Sequence, residues 1–241
     1  MRKAKVNKKL IIICTGIAVV LATAAVLFFV LRGNGETTFH IGKDNTEIKL
    51  SIASQEPVKI TEGLELTSVS DYTGLYLEDG SDSLVKNILA ITLKNTSDKD
   101  LQLARIYVDF EGFTAEFEAT NLPSDESVVL LEKSSRPFVS KDYLSIRAEN
   151  VVYFEEKMTP IADVLEISGN GGNMVVKNIS DKAVEGEIYI YYKNYSAESY
   201  FGGITYRTVV NDDIAAGESV SVLTSHFAGE QSRVVNIDII E

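Results

Sequence analysis

Ile88-Leu89-Ala90-Ile91-Thr92-Leu93-Lys94-Asn95-Thr96-Ser97-Asp98-Lys99 is an apolar run that closes on a cluster of turn formers, and the same closure recurs as Lys177-Asn178-Ile179-Ser180-Asp181-Lys182. Asn, Ser and Asp side chains bond to nearby backbone N–H groups, and Asn tolerates left-handed geometry, so each cluster predicts a chain reversal between two strands. A second echo follows. Leu122-Pro123-Ser124-Asp125-Glu126-Ser127-Val128 is answered by Ile214-Ala215-Ala216-Gly217-Glu218-Ser219-Val220, each leading into a strand. The echoes come in the same order in both places, so the chain reads as two copies of one β unit with a longer middle loop in the second. Asn95 and Asn178 also match glycosylation acceptors, as does Asn194 in Asn194-Tyr195-Ser196. The equivalent turns favour the structural role for the first two.

Outward from these turns, short runs of strand formers bounded by Asn, Asp, Ser and Gly dominate: Ile106-Tyr107-Val108-Asp109-Phe110, Ile188-Tyr189-Ile190-Tyr191-Tyr192 and Val220-Ser221-Val222-Leu223. Strands at this spacing imply a sandwich or barrel. The predicted fold is all-β: two tandem immunoglobulin-like antiparallel β-sandwiches behind one N-terminal transmembrane helix. Each copy is near immunoglobulin size, without the disulfide and buried tryptophan of antibody domains. The expected boundaries are 58–157 for the first repeat and 158–241 for the second. An apolar strand, N-x-S-D-K, a strand ending in aromatics, then an L-x-x-G/D-E-S turn and a final strand together resemble the FxLYD-type and related immunoglobulin-like domains of bacterial surface proteins. That resemblance implies a non-catalytic module of the cell envelope.

Residues 10–31, LIIICTGIAVVLATAAVLFFVL, form an uncharged apolar stretch long enough to span a bilayer, roughly 33 Å as a helix. Five Lys/Arg in residues 1–9 against Arg32 after it place the N-terminus in the cytosol, with the body extracytoplasmic at the cell membrane. Ala22-Thr23-Ala24 offers a cleavage pattern, yet the apolar run continues past it, so a signal-anchor is the expectation. Cys14 lies too early in that run, behind Ile11-Ile12-Ile13, for a lipoprotein. Residues 32–57 are expected to be a stalk with a possible strand at Ile48–Ile52.

The first 35 residues hold six of the 23 Lys/Arg and none of the 35 Asp/Glu, leaving the remainder at a net charge of about −18. Such a surface repels nucleic acid and anionic lipid. The carboxylates are scattered, with no ordered ligand spacing, so neither metal nor cofactor is expected. The two histidines, His40 and His226, stand apart in sequence, and no catalytic motif surrounds them. Gly169-Asn170-Gly171-Gly172 reads as a hairpin turn.

Seven aromatics fall between Tyr189 and Tyr206. Alternation sends Ile188, Ile190 and Tyr192 inward and leaves Tyr189 and Tyr191 outside. With Tyr195, Tyr200, Phe201 and Tyr206, across an expected loop at Gly202-Gly203, they form a candidate binding patch suited to protein partners or sugar rings. The expected function is binding or assembly with another envelope protein through protein–protein contacts. The alternative is a module for cell-wall or extracellular glycan, and a more remote one is a glycoside hydrolase using an acidic pair.

Overall fold

A computed structural model describes residues 35–52 and 55–240. The expected membrane helix at 10–31 lies outside them. Among the described residues no helix is long and apolar enough to cross a membrane, and there is no α-helix, only a 3₁₀ turn at Gly229–Gln231. Strands make up 62%. The largest sheet runs β1 (Gly35–Ile41), β2 (Thr46–Ile52), β4 (Leu64–Leu75), β5 (Leu84–Asn95), β8 (Ser127–Leu131), β13 (Ser199–Val210), β12 (Glu187–Ser196), β15 (Ser232–Ile240), with β3 (Val58–Thr61) on β4. It curls into a half-barrel. Two three-stranded sheets flank it, β7 (Phe113–Leu122), β6 (Leu101–Phe110), β9 (Ser145–Tyr153), and β10 (Leu165–Asn170), β11 (Asn173–Asn178), β14 (Ser219–Leu223).

The run at Ile88–Leu93 is apolar at nearly every position because β5 is buried on both faces. Leu89, Ile91 and Leu93 pack against Leu101, Ile106, Val108 and Phe117 of the β7-β6-β9 sheet. Ile88 and Ala90 turn the other way, onto Ile41, Ile48, Leu50 and Tyr72. β8 does the same, with Val128 and Leu130 on one side and Val129 and Leu131 on the other. A strand sandwiched between two cores has no solvent face to make polar, so it loses its alternation. A third core, with Ile188, Ile190, Tyr192 and Ile237 facing Leu165, Met174 and Val176, fills the space between β12-β13-β15 and the third sheet.

Three expectations are corrected. The sheets are not purely antiparallel: β8 and β13 pair in parallel through Val128–Tyr200 and Val129–Phe201. Here the large sheet joins strands from either side of residue 157. Gly202-Gly203 is not a loop but lies inside β13 and is buried. A Cβ on Gly203 would sit 1.7 Å from the Glu118 carbonyl, and Gly202 adopts φ +84 against Leu77. Only glycine lets the backbone approach so closely. Part of the expected stalk is likewise β1, which pairs antiparallel with β2 from Gly35 to Ile41.

The two sequence echoes are two halves of one device. Asn95 is fully buried, and its Nδ2 donates to the carbonyls of Lys99, Leu122 and Pro123 at 2.9, 3.1 and 3.2 Å. Its Oδ1 accepts from the Ser97 amide at 3.1 Å. Asn178, equally buried, donates to Lys182 and Ile214 at 2.7 and 2.8 Å and accepts from the Ser180 amide at 3.0 Å. In each unit one amide closes its own turn and ties it to the second echo. The backbone amides of Asn95 and Asn178 donate to Glu126 and Glu218, in those same second echoes.

Asn95→Ala and Asn178→Ala should each lose about 2–3 kcal/mol in urea unfolding, because buried carbonyls are left unpaired. Ile179→Ala, at an exposed position of the same turn, should stay within about 0.5 kcal/mol.

Candidate functional site

The curl leaves β1 as a free edge of the large sheet. It pairs with β2 alone and draws near β12 without joining it. The concave side holds a cleft of about 1110 Å³. Thr37, Thr38, Phe39 and His40 line it in succession, as do Ser196 to Ser199 opposite. Successive strand residues point to opposite faces, so a cavity met by four in a row runs along the strand's edge. Its floor is apolar, with Leu50, Val129, Phe39 and Phe201, the last two with ring centroids 5.2 Å apart. Ser68 donates to the Thr92 hydroxyl at 2.8 Å in the same wall.

The hairpin joining β12 to β13 carries Ala197 and Glu198 at φ 45 and φ 62, between the paired Ser196 and Ser199. Two left-handed central residues suit the twist of a two-residue hairpin, which ordinarily takes Asn-Gly. Ala and Glu hold that geometry against a steric cost of about 1–2 kcal/mol each. The strained tip carries a carboxylate to the rim of the cleft.

Charge at the cleft is predominantly negative. Asp125, Glu126, Glu198 and Glu230 line it, against Lys94 and Arg233. Arg233 is engaged: Nη1 lies 3.3 Å from Glu126 Oε1, and its guanidinium carbon is 3.6 Å from the Tyr195 ring centroid. Burial pushes the Glu126 carboxyl above its ordinary range, Arg233 opposes that shift, and Glu198 and Asp125 add to it. Those carboxylates therefore feel one another. Gln231 Oε1, also in the lining, is buried without a hydrogen-bond donor.

Buried Lys193 and half-buried Glu78 tie the two halves together through hydrogen bonds to the backbone. Lys193, 1% exposed, donates from Nζ to the carbonyls of Thr120, Gly203 and Ile204 at 3.0, 3.1 and 2.8 Å. These three acceptors match the three protons of an ammonium. Glu78 accepts from the amides of Leu131 and Gly203 at 2.8 and 2.9 Å. Desolvation pushes the Glu78 carboxyl up and pulls the Lys193 ammonium down, each opposed by attraction to the other.

The six candidate aromatics do not form one surface. Ile188, Ile190 and Tyr192 face the third core as expected. Tyr189 stands outside, its hydroxyl donating to Glu187 at 2.6 Å, with Arg207 5.5 Å from its ring. Tyr191 and Tyr195 pack at the margin of the first core, and Tyr200 is buried in it. Phe201 belongs to the second core. Tyr206 belongs to the third, stacked on His226 at 4.1 Å. The reason is the parallel join: Tyr200 and Phe201 are the β13 residues that pair with β8, so their side chains enter the cores on either side of the shared sheet. Only Tyr195 and Phe201 touch the cleft. Lys193, Glu78, Thr37 and Arg233 escape sequence reasoning because their roles arise from pairings between distant strands. Among the described residues no group of three or more His, Cys, Asp or Glu is arranged to hold a metal ion.

These placements set the expected stabilities of variants. Tyr192→Ala should lose about 3–5 kcal/mol, whereas Tyr189→Ala should stay within about 1 kcal/mol, read by chemical denaturation. Lys193→Met should lose about 3–5 kcal/mol, since the carbonyls of Thr120, Gly203 and Ile204 lose their donor and Glu78 loses the nearby positive charge, and adding Glu78→Gln should recover part of that loss. In Lys193→Met the raised Glu78 carboxyl binds its proton more readily in the fold than in the unfolded chain. Its stability should therefore rise, relative to the double variant, as pH falls from above neutrality toward the ordinary carboxylate range. No family model matches the chain and no curated protein matches it, so the cleft's geometry carries the functional reading.

Proposed function

We propose that this chain is a single-pass, membrane-anchored extracytoplasmic protein of the bacterial cell envelope that acts by binding a partner protein rather than by catalysis. On this reading its body is two immunoglobulin-like β units of the FxLYD-type kind, fused through a shared sheet. The apolar stretch at 10–31, with its basic flank, supports the anchor. The observation that carries the binding role is the open cleft between the edge of β1 and the hairpin tip at Ala197-Glu198. It combines an apolar floor with a hydroxyl and carboxylate rim, the composition of a recognition site.

The glycan alternative draws on the aromatics of that cleft. Phe201, however, is 2% exposed and Tyr195 lies beneath Arg233. Neither presents an open ring face for a sugar to stack on, so a protein partner fits better.

The test is in-cell photo-crosslinking of the full chain, with the crosslinker in place of Ser196 in the cleft or of exposed Asp181 as control. One envelope protein joined at the first position alone, and lost on Glu198→Lys, is the expected result. Identical adducts at both positions, or none at Ser196, would overturn the binding reading. Wall fragments at Ser196 would establish the glycan alternative.

A further inference from the structure

We infer that the cleft takes an extended, basic peptide segment of its partner, laid along the free edge of β1. The inference rests on the cleft being a binding site and names what occupies it.

Three independent observations converge. The first is backbone chemistry. β1 lies at the end of the large sheet, hydrogen-bonded on one side only, and the cleft follows its other edge through Thr37, Thr38, Phe39 and His40. An unpaired edge presents alternate N–H and C=O groups, and an extended chain satisfies them by adding a strand.

The second is shape. The space is bounded on the far side by Ser196 to Ser199 and floored by Phe39, Leu50, Val129 and Phe201. A strand lying there would send alternate side chains down to that apolar floor and the others up to the rim.

The third is charge. Four carboxylates line the cleft against two fixed cations, of which Arg233 is already paired with Glu126. Asp125, Glu198 and Glu230 make no salt bridge among the described residues. Lys or Arg on the rim-facing positions would complement them. A second copy of this chain is a poor occupant, because 35 acidic residues against 23 basic ones repel their own kind. The expected ligand therefore alternates apolar and basic residues.

The full chain, purified in detergent micelles, is titrated with a fluorescent peptide of four Lys-Val repeats and with its Glu-Val counterpart. The Lys-Val peptide should bind at least tenfold more tightly, and the double variant Asp125→Asn, Glu198→Gln should remove that difference while Asp181→Asn leaves it. Two further peptides carry N-methyl groups on either the lysine or the valine amides. Only alternate amides of an added strand face β1, so one methylated set should abolish binding and the other leave it. Equal binding of both methylated peptides would overturn the edge pairing, and equal binding of Lys-Val and Glu-Val would overturn the basic ligand. If neither peptide binds while the Ser196 position still captures an envelope protein in cells, this inference fails and the binding reading stands. If that capture fails as well, both fall.

Discussion

Three carbonyls from two strands, Thr120 of β7 and Gly203 and Ile204 of β13, converge on the ammonium of Lys193. Glu78 accepts from the amides of Leu131 and Gly203. The backbone ladder between the two halves of the chain is only two residue pairs long, too short to fix an orientation by itself. The hydrogen bonds of Lys193 and Glu78 add direction. Each hydrogen bond requires one placement of β13 against β7 and β8, and a buried ion deprived of any partner is strongly penalised. Gly203 permits this, because a side chain there would collide with Glu118. The shared sheet, its curl and the cleft on its concave side all depend on that junction.

The repeated Asn-centred turn works at shorter range. In both units a buried amide at the end of one strand saturates carbonyls of its own turn and of the second echo, tying two connections together. This explains why residues separated by more than twenty positions echo together. They are the two sides of one hydrogen-bonded contact. It also explains the buried state of Asn95 and Asn178, whose polarity is compensated within the fold.

Much of the secondary structure was legible in the sequence because it arises locally. The turn clusters mark real reversals, Ile48–Ile52 falls within β2, and the alternation at Ile188, Ile190 and Tyr192 places those side chains in a core. The continuous apolar run at Ile88–Leu93 was legible as a strand, but not as one buried on both sides. Composition does not say which sheet covers the second face. The aromatic group was misread for a related reason. Aromatics that look like a surface stripe at strand period are divided among three cores, and the parallel pairing with Val128 and Val129 sends Tyr200 and Phe201 into two of them. The cleft left no sequence signal, since its walls come from Thr37, Thr92, Ser127 and Arg233, which meet only when the sheet curls.

The position of β1 gives the cleft a mechanical character. One wall is an edge strand joined to the body by a single antiparallel ladder that starts at Gly35, the point where the preceding chain enters the fold. Tension on that preceding chain would load the ladder from its end and unzip it one pair at a time. Strands β5 and β8, held between two cores, would bear the load only afterwards. Opening that ladder would remove the cleft's wall together with Phe39 and Ile41, so the wall and the second core are one mechanical element.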